Sequence, residues 1–294
     1  MEFDDVRAFV SVADAGSVSL AARDLYVTQS AVTRRLQRLE ASLGTPLVDR
    51  STRPVGLTGA GQAALERCRR LLNDVREVRA AMANRDLPMG EIRIGVAHAL
   101  TEFTLTGPVG QLRRKFPKVA PRLRTGWSRE LLEGVRSRGL DAAVILLPAG
   151  EPLPADMVGK QLGKERLVLI ASRRVDHPPV RRIEDLAGVQ WILNPEGCAA
   201  RAALRSTLLR ANIDMVVAVE AYNYELQLAL VAQNRGLSLV PERIVKRSRL
   251  RTRLQALRMP GLNFPLTIWM VYFQPVSGFE AVIAELSGIL IKSF

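Results

Sequence analysis

Cysteine, histidine, aromatic residues and long apolar runs are all scarce in this 294-residue chain. Cys68 and Cys198 are its only cysteines, too few for a disulfide framework. With only two histidines, there is no zinc-type Cys/His spacing and little material for acid–base chemistry. No G-x-S-x-G elbow and no phosphate-cradling G-x-x-x-x-G-K occurs. Catalysis is therefore not expected, and no catalytic residue, metal ligand or cofactor is assigned. The longest strongly apolar run, "FPLTIWMVYF", is about half the ~20 residues of a membrane span. The opening "MEFDDVR" is acidic without an apolar signal core, so a cytoplasmic location and no membrane partner are expected.

Positive charge is in excess, with a net of +13 and a pI near 10.7. That points to an anionic partner: nucleic acid, a membrane surface or small acids. The excess is unevenly placed. Residues 1–90 hold 13 arginines against 11 carboxylates, so residues 91–294 carry a net +11. Any nucleic-acid contact near the start of the chain must rest on local placement.

Val6, Phe9, Val10 and Ala13 recur at helical spacing, and Gly16 ends that helix. Ser17 can cap a second helix through Ala21, Ala22 and Leu25; Thr28 can cap a third after a turn at Tyr26–Val27. In the third, "VTQSAVTRRLQRLEASLG", three arginines (Arg34, Arg35, Arg38) crowd together. Val32, Leu36, Leu39 and Leu43 share one face, and Ser30, Thr33, Arg34 and Gln37 the other. That polar face contains no carboxylate, whereas solvated helix faces usually mix signs. Gln and Arg can bond base edges bidentately in a major groove. Two helices joined by a tight turn over small alanines fit a helix-turn-helix.

"TPLVDRSTRPVGLT" (45–58) reads as a small hairpin or wing, its Arg50 and Arg53 suited to phosphates or a narrow minor groove. From Thr58 to about Arg85 one helical pattern persists. Ala64, Cys68, Leu71, Val75, Val78 and Met82 alternate by four and three, a heptad seam suited to the same helix of a second subunit. Gly59-x-Gly61-x-x-Ala64 mimics a dinucleotide fingerprint, but the helix runs on where a second strand would be needed. Beyond a hinge-like "NRDLPMG" (84–90), strands and helices alternate, implying open sheets with ligands at the carboxyl ends of strands.

The run "FVSVADAGSVSLAARDLYVTQSAVTRRLQRLEASLGTPLVDR", followed by "RPVGLTGAGQ", resembles the LysR-type transcriptional regulators, and the resemblance covers the whole length. It implies an α/β architecture: a winged helix-turn-helix (1–58), a linker and dimerisation helix with hinge (59–90), and a two-lobed effector domain (91–294) similar to type 2 periplasmic binding proteins. Lobe I would be 91–162 plus 266–294, and lobe II 163–265. Position by position, the resemblance makes Gln29, Ser30, Thr33 and Arg34 the DNA readers beside Gln37, with Arg50 and Arg53 on the wing. Members often carry Pro at the place of Ser30 or Ala31, Ser at that of Thr33 and Phe at that of Val48. The first two departures bear on base preference, the third on packing.

The effector pocket would lie between the lobes, along "AHALT", "GWS", "NPEGC" and "AYNYE", giving His98, Leu100, Thr101, Trp127, Ser128, Asn194, Cys198 and Tyr222. Thr101 and Ser128 either bind an anion beside helix amides or are plain N-caps. His98 lines the pocket or is a satisfied buried histidine, and Trp127 and Tyr222 floor the pocket or pack the core. Some relatives sense peroxide near Cys198 with a second cysteine a few residues on; none follows here, which favours a structural thiol. The basic run at 243–258 is read as a solvated surface. The expected function is DNA-binding transcription regulation by a homodimer or homotetramer, on double-stranded promoter DNA, responsive to a small, anionic effector. The alternative is a metabolite-binding protein whose helix-turn-helix mediates protein contacts.

Overall fold

In the computed structural model, residues 1–49, 51–52, 54–82, 88–101, 107–174, 180–257, 263–274, 276 and 278–294 are described. Arg50 and Arg53, the wing arginines, lie outside them. The chain divides into two compact units, one built mainly on residues 1–86 and the other on those that follow.

The first unit opens with α1 (Phe3–Ala15), α2 (Val18–Asp24) and α3 (Gln29–Leu43). Their ends follow the local chemistry. Gly16 closes α1 at φ 60, a left-handed geometry that favours glycine. Ser17 accepts the Leu20 N–H, and Thr28 accepts the Ala31 N–H at 3.2 Å. Val6, Phe9, Ala21, Val32, Leu36 and Leu39 form the centre of the core, almost wholly buried. Each large member contributes about 1.5–3 kcal/mol by leaving water. Leu43, expected on this face, is instead 45% exposed, because α3 ends there, at the rim of the core.

Strands β1 (Val48–Asp49) and β2 (Gly56–Leu57) form the antiparallel wing. The Glu40 carboxylate accepts the Leu47 and Val48 N–H groups at 2.9 and 3.2 Å, tying α3 to the wing. Then α4 (Gly59–Met82) runs without interruption. Gly61 serves contact: a Cβ there would sit 1.9 Å from the Leu47 carbonyl oxygen. Thr58 caps α4 by accepting the Gly61 N–H at 2.9 Å. The glycines that mimic a nucleotide motif are thus a helix start seated on the wing.

The second unit contains β3 (Gly90–Ala97), α5 (Pro108–Lys115), β4 (Val119–Gly126), α6 (Ser128–Arg136), β5 (Ala142–Pro148) and the long β6 (Val158–Ser172). There follow β7 (Gln190–Leu193), α7 (Ala199–Arg210), β8 (Val216–Glu220), α8 (Tyr224–Ala232), β9 (Ser238–Pro241), α9 (Glu242–Arg247), β10 (Leu254–Leu257), β11 (Pro265–Tyr272) and α10 (Glu280–Ile291). Strands run in the order β10-β6-β11-β5-β3-β4, with β9 also on β6 and β7 paired with β8. Through Arg166, β6 pairs antiparallel with β11; from Leu167 onward it pairs with β9 and β10. The partners of this one continuous strand therefore change at 166/167.

The basic run at 243–258 supplies structure as well as surface. Leu254 is buried on β10, and Arg243 pairs with the buried Glu165 of β6. Its charge pattern hid a short helix and an edge strand, because those are held by pairing with β6.

Candidate DNA interface and effector cleft

The three crowded arginines of α3 have different fates. Arg35 donates to Asp4 at 3.0 Å. Arg38 donates through Nε and Nη2 to Asp5 at 3.1 and 2.6 Å. Asp5 is 1% exposed, and its other oxygen accepts the Glu2 N–H. These two arginines fasten α3 to α1. Arg34 is exposed and has no ion-pair partner among the described residues.

Arg34 shares the outward face with exposed Gln29, Ser30 and Gln37 and half-buried Thr33. The Thr33 hydroxyl donates to the Gln29 carbonyl at 2.9 Å, and the Ser30 and Thr28 hydroxyls lie 2.9 Å apart. The Gln29 amide donates to the Ser19 hydroxyl on α2 at 3.1 Å. One cation amid amides and hydroxyls, with no carboxylate, presents the donors and acceptors that base edges and phosphates complement.

The α4 stripe divides into two parts. Ala64 and Cys68 pack, with Leu65 and Leu72, against the helix-turn-helix core of their own unit. Further along, Leu71 is 40%, Val78 63% and Met82 79% exposed, with Val75 half-buried between them. The expected seam is thus spent within the subunit at its start and left open along its later turns.

In the second unit, the carboxyl ends of β3 and β4 deliver His98 and Trp127, while Cys198 precedes α7 and Tyr224 opens α8. The His98 and Trp127 rings meet edge-on at 4.6 Å, and Trp127 meets Tyr224 at 6.3 Å. Ser128, Leu146 and Leu266 complete much of the wall, and the enclosed space measures about 10 Å³, room for a single water.

Of the pocket residues expected from sequence, His98, Trp127, Ser128 and Cys198 come together here. Four do not line this space. Leu100 is fully buried, and the Thr101 hydroxyl is turned to the Ala97 and His98 carbonyls. The Asn194 amide donates to the Ala221 carbonyl at 2.8 Å, and Tyr222 is 69% exposed. Tyr224, two residues on and overlooked in the sequence, takes the place expected of Tyr222, because α8 starts there and turns its ring inward. The Ser128 hydroxyl accepts the Leu146 N–H at 3.1 Å, and the Trp127 N–H donates to Glu130 at 3.2 Å. At that helix end the Arg129 N–H meets the Gly197 carbonyl at 3.4 Å, and the Ser128 hydroxyl, having accepted, keeps its own O–H to donate. Among the described residues no lysine or arginine lines the space.

Burial pushes the Cys198 thiol up, and burial together with Cys198 raises Tyr224 well above the usual phenol range. A thiol so held stays protonated at neutral pH, the reverse of a reactive thiolate. Burial lowers His98, partly offset by Glu130, so the imidazole is neutral at neutral pH.

A winged helix-turn-helix followed in the chain by a two-lobed binding domain defines a ligand-responsive DNA-binding protein. Residues 3–62 match the family described as "Bacterial regulatory helix-turn-helix protein, lysR family", and residues 85–275 match "LysR substrate binding domain". The chain belongs to the LysR family of transcriptional regulators. It is 31% identical over 245 residues to the regulator CzcR of Bacillus anthracis, covering 83% of this chain and 82% of that one. To the regulator GltR of Bacillus subtilis it is 29% identical over 245 residues, covering 83% and 81%. Among solved structures it resembles a full-length OxyR variant from Pseudomonas aeruginosa, with a TM-score of 0.73 at 20% identity over 99% of this chain and 94% of that one. It also resembles full-length CbnR complexed with its target DNA, with a TM-score of 0.61 at 24% identity over the whole of both chains. At these identities the two structures speak for the fold.

Proposed function

We propose that this regulator reads promoter DNA in the cytoplasm with Gln29, Ser30, Thr33, Arg34 and Gln37, with Arg50 and Arg53 of the wing on the backbone. It binds as a dimer held by the later turns of α4, two dimers making a tetramer, and responds to a small effector in the cleft around Trp127. The observation that carries the DNA reading is the division of labour on α3: Arg35 and Arg38 are tied to α1, leaving Arg34 outward on a carboxylate-free face. A gel shift on the promoter region upstream of its own gene tests this. Binding that survives Arg34→Ala unchanged assigns the face to protein contacts, the alternative reading. We assign regulation and no reaction, since the one thiol in the cleft is held protonated and His98 abuts an indole.

The effector we propose is small, planar and uncharged, in place of the anion expected from net charge and from helix N-termini beside Thr101 and Ser128. Three aromatic rings meet in the cleft, and its polar groups are a neutral imidazole, a thiol and hydroxyls. A carboxylate closed in here with no cation would cost several kcal/mol. A thermal-shift screen of the full chain against matched neutral and acidic aromatic metabolites decides: hits confined to the acids overturn the neutral assignment.

A further inference from the structure

Gln29 differs from the other outward residues of α3 in being braced by another helix. Its Nε2 donates to the Ser19 hydroxyl at 3.1 Å. The Ser30 and Thr33 hydroxyls make their contacts within α3 and its cap. Ser19 is exposed near the start of α2, whose cap is Ser17, so the helix does not need the Ser19 hydroxyl.

We infer that Ser19 is a positioning residue for DNA recognition, orienting the Gln29 amide to read an adenine edge in the major groove. This rests on the proposal that α3 reads bases. A glutamine amide has two N–H donors and one acceptor. With one N–H held by Ser19, the other N–H and Oε1 remain as an adjacent donor–acceptor pair. Adenine presents the complement there, the N7 acceptor beside the N6 amino donor. A free glutamine side chain must give up its rotamer freedom on binding; the brace has restricted it beforehand, which favours the pairing. Ser19, having accepted from Gln29, keeps its own O–H to donate, and a phosphate oxygen at the groove edge suits that proton. Phosphate, Ser19, Gln29 and base would then form one hydrogen-bonded chain, coupling the register of α2 on the backbone to the base that α3 reads.

The test uses the full-length protein and a randomised duplex DNA library, selected separately by wild type, Ser19→Ala, Ser19→Thr, Gln29→Ala and the double variant Ser19→Ala/Gln29→Ala. Gln29→Ala should erase a preference for adenine at one position per half-site. Ser19→Ala should weaken that same preference roughly 2- to 10-fold, about the worth of one neutral hydrogen bond, and leave other positions unchanged. Ser19→Thr, which keeps the hydroxyl, should restore it, and the double variant should match Gln29→Ala alone. Two results overturn the positioning role: Ser19→Ala keeping the full preference that Gln29→Ala loses, or Ser19→Ala weakening all sequences equally, as a plain phosphate contact would. A preference profile unaltered by Gln29→Ala instead refutes base reading by Gln29 and, with it, the inference.

Discussion

Replacing Leu71 and Val78 with aspartate should split the proposed dimer while leaving each subunit folded. Leu71 is 40% and Val78 63% exposed, and with Met82 at 79% they form the open part of the α4 stripe. Full burial of such a side chain is worth about 1.5–3 kcal/mol. Covering only their exposed fractions recovers roughly 4 kcal/mol per chain, and about twice that for a symmetric pair, in which each residue counts once per subunit. Leu71 and Val78 account for about half. The double substitution therefore removes roughly 4 kcal/mol from the pair, about a thousandfold in dissociation constant, before the cost of burying four carboxylates near one another. Sedimentation velocity across the micromolar range should show monomer, with far-ultraviolet circular dichroism unchanged because neither side chain belongs to a core. Affinity for a two-half-site duplex should fall with the dimer, since the half-sites must be held together. A variant still dimeric at low micromolar concentration, at its wild-type midpoint, would refute the assignment of this stripe.

Three further outcomes are expected. Arg34→Ala should cost about 1–3 kcal/mol of specific DNA binding per half-site without changing the melting temperature, whereas Arg38→Ala should lower the melting temperature by stranding the buried Asp5 carboxylate; titrations and melts on both variants separate the roles. Gly61→Ala forces a methyl to within 1.9 Å of the Leu47 carbonyl oxygen, so α4 must shift off the wing at about 1–3 kcal/mol, or several degrees of melting temperature. His98 is held below its ordinary value by burial, so the unfolded chain takes up that proton first as pH falls below about 6.5. His98 therefore lends stability in full above that pH and loses it on acidification toward the folded value. Melts of His98→Gln from pH 7.5 to 5.5 should show a flatter decline than wild type.

Much of the DNA-binding unit was legible in the sequence because its signals are local. Ser17 and Thr28 cap the helices they precede, Gly16 stops α1, and the spacing of Val32, Leu36 and Leu39 points that face inward, each by rules spanning a few residues. The alternation of strands and helices beyond the hinge is of the same kind, and it set the fold class. What depended on residues far apart in the chain was not legible. Only the packing of α1 on α3 ties Arg35 and Arg38 to Asp4 and Asp5 and leaves Arg34 outward. Only the seat of α4 on the core divides its heptad stripe between Cys68, used within the subunit, and Val78, left open. In the cleft, the start of α8 turns Tyr224 rather than Tyr222 inward, and the Thr101 hydroxyl that looked like an anion ligand donates instead to the Ala97 and His98 carbonyls, while Ser128 accepts the Leu146 N–H. A hydroxyl has the same sequence signature whether it faces a ligand or a neighbouring carbonyl or amide; which it meets is decided by strands and loops brought together from distant parts of the chain.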